Sequence, residues 1–357
     1  MNGKKRGHTK ISDIARKLSV SNVTVSKALR GHPDISPETT AKIKKVALEM
    51  GYVPNFMARR LSARHSQTIG VIVPKIAHFF FSRVIEAIYN TAFENNYEIL
   101  LTVSQENAER EAMHLQTLLS MRVDGLIVSI TQQTQSSAVF KQVLDRGVPL
   151  TFMDRIINMR GANTVAADDR GGAFAATERA IKAGYGQLGH LAGPRHLHIA
   201  RERLGGYQDA LDQYGIPPDS SKVVFGGFGE ENGYKGFMEL YSTGNLPEFI
   251  FTVSFPVALG VMRAARELGL VVPRDFDLIS FGSGWLNEFL SPSLTIVDQP
   301  TTELGKAAVE LTLLNIKKGS SFKPQHIQLP TRLVMGGTCV GREARKETDH
   351  RAAERLI

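Results

Sequence analysis

ISDIARKLSVSNVTVSKALRG, residues 11–31, decides how this chain is read. Ile11, Ile14, Ala15 and Leu18 recur at helical spacing and share one face. Ser19-Val20-Ser21 supplies a tight turn, and the Ser21 hydroxyl can accept from the free N–H groups that open the next helix. The second helix, Asn22–Leu29, turns Val25, Ala28 and Leu29 towards the first and shows Asn22, Val23, Thr24, Ser26 and Lys27 outward. Such groups suit base edges and phosphates in a major groove. Asn pairs with adenine, Lys reaches guanine, and Val or the Thr methyl touches a thymine methyl. A helical hairpin with a merely solvated polar face has the same periodicity, so further features must separate the two.

Charge is the first of them. The net charge is +8, but residues 1–65 hold 14 Lys/Arg against 4 Asp/Glu, while the remaining residues hold 29 against 31. A compact basic module on a near-neutral body is the footprint of a polyanion binder, because each neutralised phosphate releases counterions. A third helix completes the module. Ser36 caps it and Pro37 opens it, where a missing N–H costs nothing; Ile43, Val46, Ala47 and Met50 then recur at helical spacing. In the connector GYVPNFMARRLSARH (51–65), Asn55 can cap a short helix over 56–62 that exposes Ala58, Arg59, Arg60 and Leu61. An apolar wedge beside cations is what opens a minor-groove base step.

From residue 66 to 341 apolar runs alternate with amphipathic stretches, the pattern of parallel sheets covered by helices. The strand runs are TIGVIV (68–73), YEILLTV (97–103), GLIVSI (125–130), VPLTFM (148–153), LGHLAG (188–193), FIFTV (249–253) and LISFG (278–282). Two α/β halves fit this length. The predicted fold class is therefore α/β: an all-α helix-turn-helix headpiece (1–54), a hinge and linker (55–65), a two-lobed core of parallel sheets with flanking helices (66–341) and a charged tail (342–357).

The segments ISDIARKLSVSNVTVSKALRG, ISPETTAKIKKVALEMGYVPN and ARRLSARHSQTIGVIVP closely resemble the lactose-repressor (LacI/GalR) family, and the resemblance runs to about Gly341. It implies a sequence-specific DNA-binding transcription regulator, a repressor, with an allosteric core shaped like periplasmic sugar-binding proteins. Asn22, Val23 and Lys27 would read bases, and Thr24, Ser26 and Arg30 would hold phosphates. A hinge helix would order on the operator and insert Leu61. The core would cross between lobes near residues 165, 297 and 329, and hold a carbohydrate-related effector in its cleft. Asp154 and Arg203 match ligand-contacting positions, Phe80 and Phe228 match cleft walls, and Gln299 lies at a crossover. Two departures stand out: Ser254-Phe255 replaces the usual Asn-Asp, and Gly282 replaces a usual aspartate. Arg203, with Arg201 and Arg195 nearby, would then suit a sugar phosphate or sugar acid as well as a sugar.

The implied partners are a near-palindromic double-stranded operator, the effector and a second copy of the chain. The family's tetramers use a leucine-heptad tail, whereas residues 342–357 offer only Leu356 and Ile357 as large apolar groups, so a homodimer is expected. One cysteine, Cys339, excludes an intrachain disulfide framework. No apolar stretch follows the basic start and none elsewhere is long enough to span a bilayer, which together predict a cytoplasmic chain without membrane contact.

No enzyme, cofactor or metal is expected. GSGWLN (282–287) lacks the third glycine of a dinucleotide fingerprint, and Asp168-Asp169 and Glu230-Glu231 read as solvated loop carboxylates. His196 and His198, with His190 before them, have no acidic or cysteine partner close in sequence, and Cys339 has no adjacent base. The alternative reading is a solute-binding protein without a DNA role; the missing export signal and the added headpiece argue against it.

Overall fold

The computed structural model describes residues 9–29, 31–52, 66–77, 79–282 and 284–341, and the chain divides into two compact units at Ser66/Gln67. Arg30, the connector residues Asn55, Ala58, Arg59, Arg60 and Leu61, and the tail 342–357 lie outside the described residues.

The first unit contains α1 (Ile11–Leu18), α2 (Asn22–Leu29) and α3 (Pro37–Glu49). Each boundary has a local cause. α1 stops because Ser19 adopts the left-handed conformation, φ 54°, and returns its N–H to the carbonyls of Ala15 and Arg16. α2 starts where the Thr24 N–H donates to Ser21 Oγ at 3.0 Å. α3 starts where the Thr39 N–H donates to Ser36 Oγ at 3.2 Å, with Pro37 in the first turn. Ile14, Ala15, Val25, Ala28, Ile43 and Ala47 form the buried centre of the three helices.

The second unit holds two six-stranded sheets. The first contains β1 (Thr68–Val73), β2 (Glu98–Val103), β3 (Gly125–Val128), β4 (Leu150–Met153), β5 (Asn163–Ala167) and β11 (His326–Leu329), in the order β11-β5-β4-β3-β1-β2, all parallel. The second contains β6 (Leu188–Ala192), β7 (Val223–Phe225), β8 (Phe249–Thr252), β9 (Asp277–Gly282), β10 (Thr295–Asp298) and β12 (Arg332–Val334), in the order β12-β10-β9-β8-β6-β7. Only the edge strand β12 departs from parallel pairing; it runs against β10. Helices α4 (Phe79–Glu94), α5 (Ala108–Ser120), α6 (Ala138–Asp145) and α11 (Thr301–Lys318) belong to the first lobe, and α7 (Asp169–Lys182), α8 (His198–Gln213), α9 (Glu230–Ser242) and α10 (Phe255–Glu267) to the second.

The chain passes between lobes after β5, after β10 and after β11, at residues 167, 298 and 329. Strands covered on both faces are largely apolar and buried: all six residues of β1 are buried, whereas the edge strand β2 is half-exposed. Helices α9 and α10 touch backbone to backbone, since a Cβ on Gly260 would fall 1.9 Å from the Glu230 carbonyl and one on Gly233 2.0 Å from that of Val257. In each sheet the strand order reverses direction once, between β1 and β3 and between β6 and β8. Such switch points open a crevice beyond the carboxyl ends of the strands. Among the described residues no helix is long and apolar enough to cross a membrane.

Candidate functional site

Two surfaces carry the sequence-predicted site residues, one in each unit. On the first, α2 presents Asn22 and Val23 to solvent, with Thr24, Ser26 and Lys27 half-buried beside them. Val23 is 63% exposed, an apolar side chain kept outside while its neighbour Val25 is fully buried. Lys27 Nζ lies 2.6 Å from Asp34 Oδ2, and His32 Nδ1 lies 3.3 Å from the same oxygen. The Lys27 hydrogen bond and the charges of His32 and Lys27 hold the Asp34 carboxyl below its usual range.

On the second unit, Phe80, Asp154, Arg203, Phe228, Ser254 and Gln299 line one cavity. It encloses about 550 Å³ of empty space, its open mouth included. Every one of them sits beyond the carboxyl end of a strand or on the helix that follows. Asp154 comes directly after β4 in the left-handed conformation, φ 63°, a strained backbone for a residue with a side chain. Its carboxylate is buried, and Ser129 Oγ stands 3.5 Å from Oδ2. Burial pushes this carboxyl above its ordinary range, while Arg155 and Arg203 pull it down.

Arg203 makes three hydrogen bonds within the protein. Nε and Nη2 donate to Asp169 Oδ1 at 2.8 and 2.7 Å, Nη1 donates to the Val253 carbonyl at 2.5 Å, and the guanidinium lies 3.7 Å from the centre of the Phe281 ring. Ser254 Oγ donates to the Phe228 carbonyl at 2.9 Å. Gln299 is buried, and its Nε2 has no hydrogen-bond partner among the described residues.

Several participants escaped the sequence reading. Arg155 lines the same cavity, donates through Nη1 to both Glu106 carboxylate oxygens at 2.9 Å and lies 4.3 Å from the Phe228 ring centre. Asp169, expected in a solvated loop, is instead buried as the first residue of α7, where it holds Arg203; burial pushes its carboxyl up to about 6 against the pull of that arginine. Its neighbour Asp168 caps α7 by accepting from the Gly171 N–H at 3.0 Å. Phe79, Phe81, Phe255 and Phe281 join Phe80 and Phe228 on the walls. The two departures at Phe255 and Gly282 are coupled, because a Cβ at Gly282 would come 2.9 Å from the Phe255 ring.

The arginine trio expected to favour an anion does not gather here. Arg195 lies over Phe225 at 3.5 Å, and Arg201 donates to the His196 carbonyl at 2.7 Å. Of the histidines, His190 is buried and stacked between Phe251 and Tyr207, and burial pushes it down to about 4, so it is neutral at pH 7. His196 Nε2 reaches the Gln132 carbonyl at 2.7 Å. Cys339 is buried, and its thiol is pushed up to about 12, chiefly by burial.

Residues 177–339 match a periplasmic binding protein-like domain, and residues 10–55 match the bacterial regulatory proteins of the lacI family. The HTH-type transcriptional repressor CytR of Escherichia coli strain K12 is 31% identical over 325 residues, 91% of this chain and 93% of that protein. The chain belongs to the LacI family.

This LacI-family chain is also 30% identical over 335 residues to the ribose operon repressor of Haemophilus influenzae, covering 94% of this chain and 98% of that one. Its fold matches the lac repressor dimer solved on its operator with an anti-inducer, at a TM-score of 0.81 and 26% identity over 94% of this chain and 100% of that one. It is a DNA-binding transcription regulator with an α/β effector-binding domain, and not an enzyme.

Proposed function

We propose that this LacI-family regulator is a cytoplasmic homodimeric repressor that reads a near-palindromic operator through α2 and senses a small carbohydrate-related effector in the cleft at Asp154. The observation that carries the operator half is the exposed face of α2. Asn22 and Val23 stand in solvent on a helix whose other side is locked by Val25 and Ala28, inside a strongly basic segment. Val23, 63% exposed beside Asn22, is placed to touch a thymine methyl in a major groove. Asn22, Val23 and Lys27 read bases, and Thr24, Ser26 and Arg30 hold phosphates. Asn55, Ala58, Arg59, Arg60 and Leu61 form the minor-groove hinge. The lac repressor match, a dimer on its operator, supports the two-fold arrangement. On α4 the rings of Tyr89 and Phe93 stack at 6.2 Å while 53% and 66% exposed, an apolar pair suited to covering by a second copy.

Phe80, Asp154, Arg203, Phe228, Ser254 and Gln299 form the effector site. Ligand binding between lobes joined by three crossings changes their mutual angle, and operator affinity changes with it. Coupling of this kind is reciprocal and amounts to about 1–3 kcal/mol. The test is selection of genomic duplex fragments by the purified protein with and without candidate metabolites, repeated with residues 1–66 deleted. The proposal requires a defined set of fragments, an effector-dependent change in their capture, and no capture by the deletion. Equal capture of unrelated duplexes by the intact chain at moderate ionic strength overturns it.

A further inference from the structure

The walls of the cleft and its polar groups point to different partners from those a free sugar offers. Six phenylalanines, Phe79, Phe80, Phe81, Phe228, Phe255 and Phe281, line it. The Phe255 ring fills the space beside Gly282 that a hydroxyl-reading side chain would use. Both guanidiniums are anchored inside the protein, Arg203 through Nε, Nη1 and Nη2 on Asp169 and Val253 and Arg155 through Nη1 on Glu106, and each lies over a phenylalanine ring. The Ser254 hydroxyl is donated to the Phe228 carbonyl. Among the polar groups left with little or no protein partner are the buried Asp154 carboxylate, with only the long Ser129 contact at 3.5 Å, and the Gln299 amide, whose Nε2 is unpartnered among the described residues.

Charge points the same way. The carboxylates of Glu106, Asp154 and Asp169 face the two guanidiniums of Arg155 and Arg203, so this cluster carries one negative charge in excess when all five are ionised. An anion entering here would meet a cluster that already carries negative charge in excess, the Asp154 carboxylate included. A bare pyranose or furanose would bring four or five hydroxyls to walls that are largely phenylalanine, and each hydroxyl buried without a partner costs about tenfold in affinity. A flat ring loses nothing against phenylalanine walls and gains from edge or stacked contacts with them.

We infer that the cleft takes an uncharged or cationic ligand built on a flat aromatic ring with an N–H or O–H donor for Asp154 and an acceptor for Gln299, in preference to a free sugar or any anion. A sugar unit can be attached, as in an aryl glycoside or a nucleoside; the ring is what the cleft reads. This rests on the reading of the cleft as the effector site.

The test uses the full-length protein and two matched series, glucose with phenyl β-glucoside, and ribose with adenosine and adenosine 5′-phosphate. Saturation-transfer NMR at millimolar ligand detects contact, and titration calorimetry measures affinity. In at least one series the ring-bearing neutral member binds about tenfold or more tightly than its parent sugar. Adenosine 5′-phosphate binds more weakly than adenosine, and Asp154→Asn, with an unchanged melting temperature, loses the ring-bearing ligand. The inference is overturned by a free sugar binding as tightly as its aryl partner, by the phosphate binding best, by Asp154→Asn retaining full affinity, or by no contact from either ring-bearing probe. If a ring-bearing ligand binds as described while operator affinity stays constant, the cleft chemistry stands and the effector role under Proposed function falls instead.

Discussion

Replacing Phe255 and Gly282, singly and together, measures how far the two departures from the family pattern form one unit. Phe255 is 6% exposed. Truncating a buried Phe to Ala costs about 3–5 kcal/mol, and with the cleft on one side of the ring the lower end applies, about 3 kcal/mol. Gly282→Ala adds a methyl 2.9 Å from Phe255 Cδ2, 3.2 Å from its Cβ and 3.3 Å from its Cγ. The Cβ is tied to the backbone and cannot retreat, so the ring must tilt, a mild overpacking worth about 1–2 kcal/mol. In the Phe255→Ala background only the 3.2 Å contact survives, and the new methyl enters space the ring has vacated. The second substitution then costs close to nothing, giving a coupling of about 1 kcal/mol or more. Urea unfolding followed by far-ultraviolet circular dichroism reads the stability of each variant. At about 2 °C per kcal/mol, Phe255→Ala also lowers the melting temperature by about 6 °C. Strict additivity, within about 0.3 kcal/mol, would mean that Phe255 does not occupy the space beside Gly282, and the case for an aromatic cleft would lose its strongest support.

Asn22→Ala lowers operator affinity by about 1–3 kcal/mol and relaxes preference at one base pair, whereas Arg60→Ala weakens binding to all duplexes alike and flattens the salt dependence; competition against single-base operator variants at several salt concentrations separates the two. Ser36→Ala removes the hydroxyl that accepts from the Thr39 N–H and destabilises the headpiece by about 1 kcal/mol, measurable by thermal melting of helical circular dichroism. Glu111 is buried, accepts from the Thr131 N–H and the Thr134 hydroxyl, and is pushed up to about 6, mainly by burial. Its folded value lies above its unfolded one, so its contribution to stability is full below about 4.5 and is lost as pH rises through about 6. The unfolding free energy of the wild type minus that of Glu111→Gln therefore falls between those pH values and is flat above; a value that rises with pH rules this out.

The headpiece was almost wholly legible because its determinants are local. Ser21, Ser36 and Pro37 fix helix starts within a few residues of themselves, and an amphipathic period does the rest. Seven strands announced themselves as apolar runs, but β5, β7, β10, β11 and β12 are three to five residues long and carry no such run. They are strands because neighbouring strands pair with them, which a linear pattern does not encode. The cleft divides along the same line. Asp154 and Arg203 were marked by their place after a strand and by family pattern, whereas Asp169 looked like half of a solvated acidic pair. Only the folded chain shows that it opens α7 and faces α8, where burial and Arg203 give it a different role. Phe80 and Phe228 were marked as walls by family pattern, whereas Phe255 and Phe281, from other elements, join them only in the folded chain.

The path by which the chain crosses three times between sheets also governs its birth on the ribosome. The first sheet is missing its edge strand β11, and the helix α11 on its face, until residue 329 has been made. A nascent polypeptide thus emerges with an unfinished lobe, then builds most of the second, and only afterwards receives the pieces that seal the first. Neither lobe is a module that evolution or an engineer can cut out at a single point. The crevice between the sheets, lined by residues from Phe79 to Gln299, takes shape only after most of both lobes has been made.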